Sequence, residues 1–316
     1  MSIYLEPWAP DYGSPIETQE PFDSSEQEID YTVEQPGDWS PVLGSSVPAN
    51  IVAFVDGVRH IDGRLTLFGP DGIPVAGVCG SYGVGAAIWD RETPIMTFEQ
   101  MSVGRLAIQG AGMKVPMPYI DYGIEYEAIS IEADDPASLQ FALHDRMRKE
   151  EKELASLLAD SGVFVVADGP VNETRSRSVV GMVKAHHASY LDENYRSIID
   201  ELRPGYRSPL FVIQHSMYPK YSWYLRLADQ GKGHSWAGIV RCMAAESVGL
   251  EDAARMADDT ATLLPQVASE PHIDPRAPQN LVPIGALEKE LRHLLGEREF
   301  VYRALLEAFS SEVSER

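Results

Sequence analysis

The sequence predicts an α/β fold in which a mixed sheet is flanked by helices. Two short, wholly apolar runs, 51–55 and 163–167, each end in Asp-Gly, at Asp56-Gly57 and Asp168-Gly169; runs of this kind suit strands buried on both faces. The first leads into further strand-like segments joined by turn residues, and the second is preceded and followed by helical patterns. Strands in a meander, then strands alternating with helices, describe a mixed sheet with helical cover.

Element by element, residues 1–48 read as an extended acidic arm. Seven prolines from Pro7 to Pro48 interrupt any period, and ten Asp and Glu lie between Glu6 and Asp38 with no Lys or Arg before Arg59. Such composition resists packing into a core. The aromatic residues Tyr4, Trp8, Tyr12, Phe22, Tyr31 and Trp39 leave two alternatives open, a free tail or an arm lying against the domain. The remainder, 49–316, is expected to form one domain.

Within it, Ile51 to Asp56 forms a strand, Asp62-Gly63 a turn, and Leu65 to Phe68 and Val75 to Trp89 two more strands of an antiparallel meander. Residues 101–132 are β-like, punctuated by Gly and Pro, and are expected to be an insertion. A helix opens at Asp134-Asp135-Pro136 and runs to about Ala159, leading into the strand that ends at Asp168. Ser208 to Ile213 and Ser235 to Cys242 are further strands, with helices over 190–202, 250–264 and, as one long helix or a broken pair, 283–309.

Composition limits the chemistry. The chain has 316 residues, 44% of them hydrophobic, enough for one large core. Two cysteines, Cys79 and Cys242, make neither a disulfide framework nor a thiolate metal site. With no basic and apolar leader and no long apolar run, a reducing, cytoplasmic location without membrane contact is expected. The formal charge of −22 opposes nucleic-acid binding by the bulk field. Acid concentrated in the arm, and carboxylates that bound metal would neutralise, reduce that objection.

The two Asp-Gly steps are the chemical signal. If their strands are neighbours, Asp56 and Asp168 converge at one sheet edge as hard oxygen ligands suited to Mg²⁺ or Mn²⁺. In the helix before Asp168, Leu143, Met147, Leu154, Leu157 and Leu158 form a stripe expected to face the sheet, interrupted by Glu150 and Glu151. The helical wheel places Glu150 near its centre and Glu151 at its edge, so one of them is expected to point inward, where an unpaired carboxylate is costly unless metal binds it. An ion pair with Arg146 or Arg148 is the alternative. Lys184, after Val179 to Val183, is expected at a strand end facing inward, and Arg175, Arg177, Arg207, Lys220, Arg226 and Lys232 make the second half the most basic part of the chain. His186-His187 reads as a surface pair. Gly-x-Ser-x-Gly, Walker, His-Glu-x-x-His and Cys-x-x-Cys motifs are absent.

Phe54-Val55-Asp56-Gly57, Val165-Val166-Ala167-Asp168-Gly169-Pro170, Val180-Gly181-Met182-Val183-Lys184, and the run from Asp274-Pro275-Arg276 through Pro278-Gln279-Asn280-Leu281-Val282-Pro283-Ile284 to Leu287-Glu288, taken in this order, resemble the NurA nucleases over roughly residues 50 to 310. The resemblance implies an RNase H-like fold, a homodimer, endonuclease and 5′-to-3′ exonuclease activity on DNA with Mn²⁺ or Mg²⁺, and partnership with a hexameric HerA-type ATPase in DNA end resection. It places family carboxylates on Asp56 and Asp168, with the helical one on Glu151 by spacing. Where many relatives carry Tyr and, eight residues on, His, this chain reads Asn280 and Glu288, so Glu288 or His293 would replace that His. On this reading the cluster holds two ions about 4 Å apart, and Lys184 steadies phosphate charge. The competing expectations are a catalytically weak adaptor for the motor ATPase and a phosphodiesterase acting on small molecules.

Overall fold

The computed structural model describes residues 2–5, 28–45, 49–93, 95–171, 178–184, 190–214, 218–229, 231, 234–270 and 272–314. Trp8, Tyr12, Phe22, Arg175, Arg177, His186, His187 and Lys232 lie outside these residues.

In chain order, β1 is Ser2–Leu5, β2 Ile29–Asp30, β3 Val42–Leu43, β4 Ile51–Phe68, β5 Pro74–Asp90, β6 Met96–Gln109 and β7 Glu127–Ser130. There follow α1 (Pro136–Asp160), β8 (Phe164–Asp168), β9 (Val179–Val183), the single turn α2 (Ile198–Glu201), β10 (Tyr206–Arg207), β11 (Phe211–Ile213), β12 (Lys220–Arg226) and β13 (Ile239–Ala245). The chain closes with α3 (Leu250–Leu263), α4 (Val282–Leu295) and α5 (Arg298–Ser314). These strands form one mixed sheet in the order β2-β11-β12-β13-β9-β8-β4-β5-β6-β7, with β8 parallel to both β4 and β9. The expected mixed sheet with helices is therefore present.

The meander differs from expectation. Asp62-Gly63 is not a turn: β4 runs unbroken through it, with a bulge between Ile61 and Gly63 where the register against β5 shifts. Asp favours turns where its side chain bonds its own nearby backbone. Here Asp62 is buried and accepts hydrogen bonds from Ser81 (2.5 Å) and Tyr126 (2.7 Å), while Gly63 leaves space for Leu5 of β1, which would stand 2.8 Å from a Cβ. The third meander strand is β6, so the expected insertion at 101–132 begins inside a long strand paired with β5 from Met96 to Gln109. The helix expected over 190–202 shrinks to α2, because Tyr190, Leu191 and Tyr195 are used instead in an aromatic cluster beneath the arm.

Alternation along β4 divides the core between the sheet faces. Ala53 and Val55 pack against Leu139, Leu143, Met147, Leu154 and Leu158 of α1. Phe54 and Val58 pack on the other face with Ile284, Leu287 and Leu291 of α4 and Met256 of α3. Asp135 caps α1 by accepting from the Ser138 N–H at 3.0 Å, with Pro136 in the first turn. Leu157, expected on the buried stripe, is 59% exposed. The 283–309 helix is a broken pair, parted at Gly296, whose φ of 85° suits only glycine.

The described part of the arm lies against the domain. β1 pairs with β4, β2 with β11 and β3 with β10, and Tyr31 stacks on Tyr195 at 4.4 Å. Arg207 is 2% exposed and receives Glu34 through both carboxylate oxygens (2.8 Å each) and Asp258 at 2.7 Å. Removing one partner of a buried ion pair strands the other. Asp258 keeps part of the Arg207 charge paired, so Glu34→Ala should lower stability in urea unfolding by about 2 kcal/mol; an unchanged midpoint would mean that the Glu34–Arg207 pair does not hold the arm.

Candidate metal centre

β8 pairs with β4 only from Val52 to Val55 and ends at Asp168. Asp56 therefore stands one residue past the last paired position of β4, and the two Asp-Gly steps fall side by side. Carboxylate oxygens of Asp56, Asp168 and Glu288 all lie within 4.8 Å of one another. Glu288 comes from the buried face of α4, one residue after Leu287, which anchors the helix on β5. The sequence expectation that residues 56 and 168 converge is met in the geometry, and Glu288 joins them. His293 is exposed in the last turn of α4 and is not part of this group.

Glu151 and Glu150 separate cleanly. A Cβ on Gly57 would collide with the Glu151 carboxylate and stand 2.9 Å from Met147, so glycine at 57 is what admits Glu151 beside Asp56. Glu150 instead accepts a short hydrogen bond from Tyr82 of β5. The helical wheel favours Glu150, at the centre of the face, and the structure corrects it: Glu151, the residue that spacing favours, stands at the cluster. What decides is which neighbour of β4 each reaches: β8 for Glu151, β5 for Glu150.

Cations crowd the same carboxylates. Lys184, the first residue after β9, donates to Asp168 and, at 2.7 Å, to Asn280. Asn280 is fully buried and donates to Asp274 at 2.6 Å. Arg276 holds Glu288 through two hydrogen bonds (2.6 and 3.0 Å) and also reaches Asp274 (3.0 Å), while Arg292 adds a bond to Glu288 at 2.9 Å. Sequence reasoning assigned Arg276 and Asp274 no role. Their only signal was membership of the Asp274–Ile284 string, since nothing in spacing reveals that this turn folds back onto α4.

The electrostatics follow from burial. Burial first, and then the negative charges of Asp168, Glu151 and Glu288, push the Asp56 carboxyl well above the ordinary range, with Lys184 opposing. Burial likewise raises Asp168, against Lys184. Glu151 is raised to about 8, by burial and by Asp168, against Arg148 and Arg59. Glu288 goes the other way: against the upward push of burial, Arg276 and Arg292 hold it below the ordinary range.

The residues fit a hard divalent cation. All donors are carboxylate oxygens, and Asp56 Oδ2 is buried with no hydrogen-bond partner among the described residues, while Oδ1 accepts only from the Gly57 N–H at 2.8 Å. A buried, orphaned acceptor among like charges is the arrangement that a cation relieves.

One pH dependence follows. With a folded pKa of about 8 against an ordinary 4.5, Glu151 keeps its proton in the fold after the unfolded chain has lost it. Its contribution therefore falls as pH rises through that window, by up to roughly 1.4 kcal/mol per unit. In chelator, the denaturation midpoint should drop from pH 5 to 8, and Glu151→Gln should reduce the slope; an identical slope in the variant contradicts the assignment.

The NurA domain model matches residues 131–284, a span that contains Glu150, Glu151, Asp168, Lys184 and Asn280 and leaves Asp56 and Glu288 outside. No curated protein matches the chain. Among solved structures, it is similar to the crystal structure of the NurA nuclease from Sulfolobus solfataricus, at 9% identity and a TM-score of 0.47, covering 88% of each chain. The matched span runs from just before α1 to the start of α4, and over it the chain is similar to the NurA domain family.

Proposed function

We propose that the chain is a divalent-metal-dependent deoxyribonuclease with an RNase H-like core. The observation that carries this reading is the convergence of Asp56, Asp168 and Glu288 within 4.8 Å beside an orphaned Asp56 oxygen, in a chain with a NurA domain. The order β6-β5-β4-β8-β9, with α1 crossing between β7 and β8, supports the RNase H-like assignment.

Asp56, Asp168 and Glu288 are the ligands, with Glu151 behind Gly57 as a fourth carboxylate. A bound Mn²⁺ or Mg²⁺, or a pair of them, supplies charge neutralisation at phosphate and a lowered pKa for water. The chain's own residues do the rest. Lys184 presents its charge beside Asp168, where it meets a phosphate oxygen. Asn280, fixed by Asp274, holds the Lys184 ammonium. Arg276 orients Glu288 as carboxylates supporting a metal site are commonly oriented, by hydrogen bonds from behind.

On this reading the substrate is DNA, cut internally and from 5′ ends, during end resection in DNA repair. The protein acts as a homodimer with a hexameric HerA-type ATPase that delivers the strand, in the cytoplasm; no helix among the described residues is long and apolar enough to cross a membrane.

A second reading, a catalytically weak adaptor of that ATPase, is favoured by one observation. Both Glu288 oxygens already face arginines and Asp168 already faces Lys184, so an entering cation competes with three side-chain cations. Digestion of linear DNA with Mn²⁺ separates the two. The nuclease reading expects cleavage by the wild type and background levels for Asp56→Asn and Asp168→Asn. The midpoint of Asp56→Asn in chelator should be retained or raised, since one of several crowded negative charges is gone. Wild-type cleavage by either variant sinks the assignment.

A further inference from the structure

Between Asp56 and Arg64 the edge of β4 that faces away from β5 carries no strand among the described residues, because β8 stops at Val55 and β1 starts opposite Leu65. Arg59 sits on this open edge, two residues after Gly57 and so on the same face, toward α1. On α1, His144, Arg148 and Glu151 succeed one another at helical spacing and share one stripe. Arg148 extends to the exit of β8: a Cβ on Gly169 would lie 3.6 Å from its Nη2. Two arginines from elements some 90 residues apart in sequence thus stand on the α1 side of the carboxylate cluster.

They are close enough to sense one another. Burial and then Arg148 hold Arg59 down, with Glu151 opposing. Burial, Arg59 and Arg148 together press His144 down to about 4, so it is neutral near pH 7. Glu151 is therefore a carboxylate that lies near both arginines. Lys184 approaches the cluster from the α4 face, through Asn280, and Arg59 and Arg148 from the α1 face.

We propose that Arg59 and Arg148 form a phosphate-binding subsite, which seats a DNA phosphate next to the one held over the carboxylate cluster. This rests on the nuclease reading. Planar guanidinium forks match phosphate oxygens in pairs, which a lone ammonium does not. The backbone of a bound strand then runs across the carboxylates from Lys184 to Arg148, and the subsite fixes register without reading bases.

The test measures binding of a fluorescent single strand, with a 5′-phosphate or a 5′-hydroxyl, by anisotropy across a KCl series in Ca²⁺. Arg59→Gln and Arg148→Gln should each weaken binding about tenfold, and the double variant should flatten the salt dependence by roughly 0.7 for each phosphate it no longer neutralises. A weakening confined to the 5′-phosphorylated strand assigns the subsite to a terminal phosphate; equal weakening on both strands assigns it to an internal one. Should a Gln variant fail to fold, Arg59→Lys and Arg148→Lys carry the test: the salt slope is kept and affinity falls. Affinity and salt slope unchanged from wild type in the folded variants overturn the subsite. If the wild type still cleaves DNA in that case, the nuclease reading survives alone; a wild type that cleaves no DNA removes that reading directly.

Discussion

The structure turns on one constraint: several carboxylates are gathered at the point where β8 stops alongside β4, in an environment that disfavours their charge. Asp56 is 7% exposed and Glu288 5%, and buried like charges at this distance cannot all ionise without compensation. Everything near the centre supplies that compensation. Lys184 stands on Asp168, Arg276 and Arg292 on Glu288, and Arg59 and Arg148 beside Glu151. Gly57 exists to let the helical carboxylate approach, and Asn280 with Asp274 fixes the lysine. A divalent ion would add a concentrated charge to this diffuse set of side-chain cations.

On the proposed nuclease reading, the arrangement also bears on how so acidic a chain would meet a polyanion. The described arm spends part of its negative charge internally, Glu34 on the buried Arg207, and the carboxylates of the centre are a charge that metal cancels. The cations retained nearby are few, but they are local to the cluster and partly desolvated, where each counts for more than on an open surface. On that reading local field, and not net charge, would govern approach at this edge.

Much of this was legible in the sequence, for physical reasons. A buried strand needs apolar residues on both faces, so an Asp at its end marks an exit, and two such exits marked the centre. The helix before Asp168 announced itself by period and cap. Three features stayed hidden. Asp62-Gly63 carries turn residues, yet side-chain partners on β5 and near Tyr126 make it a bulge. The choice between Glu150 and Glu151 depends on how α1 lies over β4, which a helical wheel does not contain. Arg276 and Arg59 join the site through long-range docking, and arginines in an ordinary sequence context carry no mark of the carboxylate they will meet.

The most direct test is a crystal of the protein soaked in Mn²⁺ and measured at the manganese absorption edge. The account predicts an anomalous peak bounded by Asp56, Asp168 and Glu288, with Asp56 Oδ2 among the ligands, and no peak in Asp56→Asn. A wild-type crystal with no manganese peak at these carboxylates would contradict it.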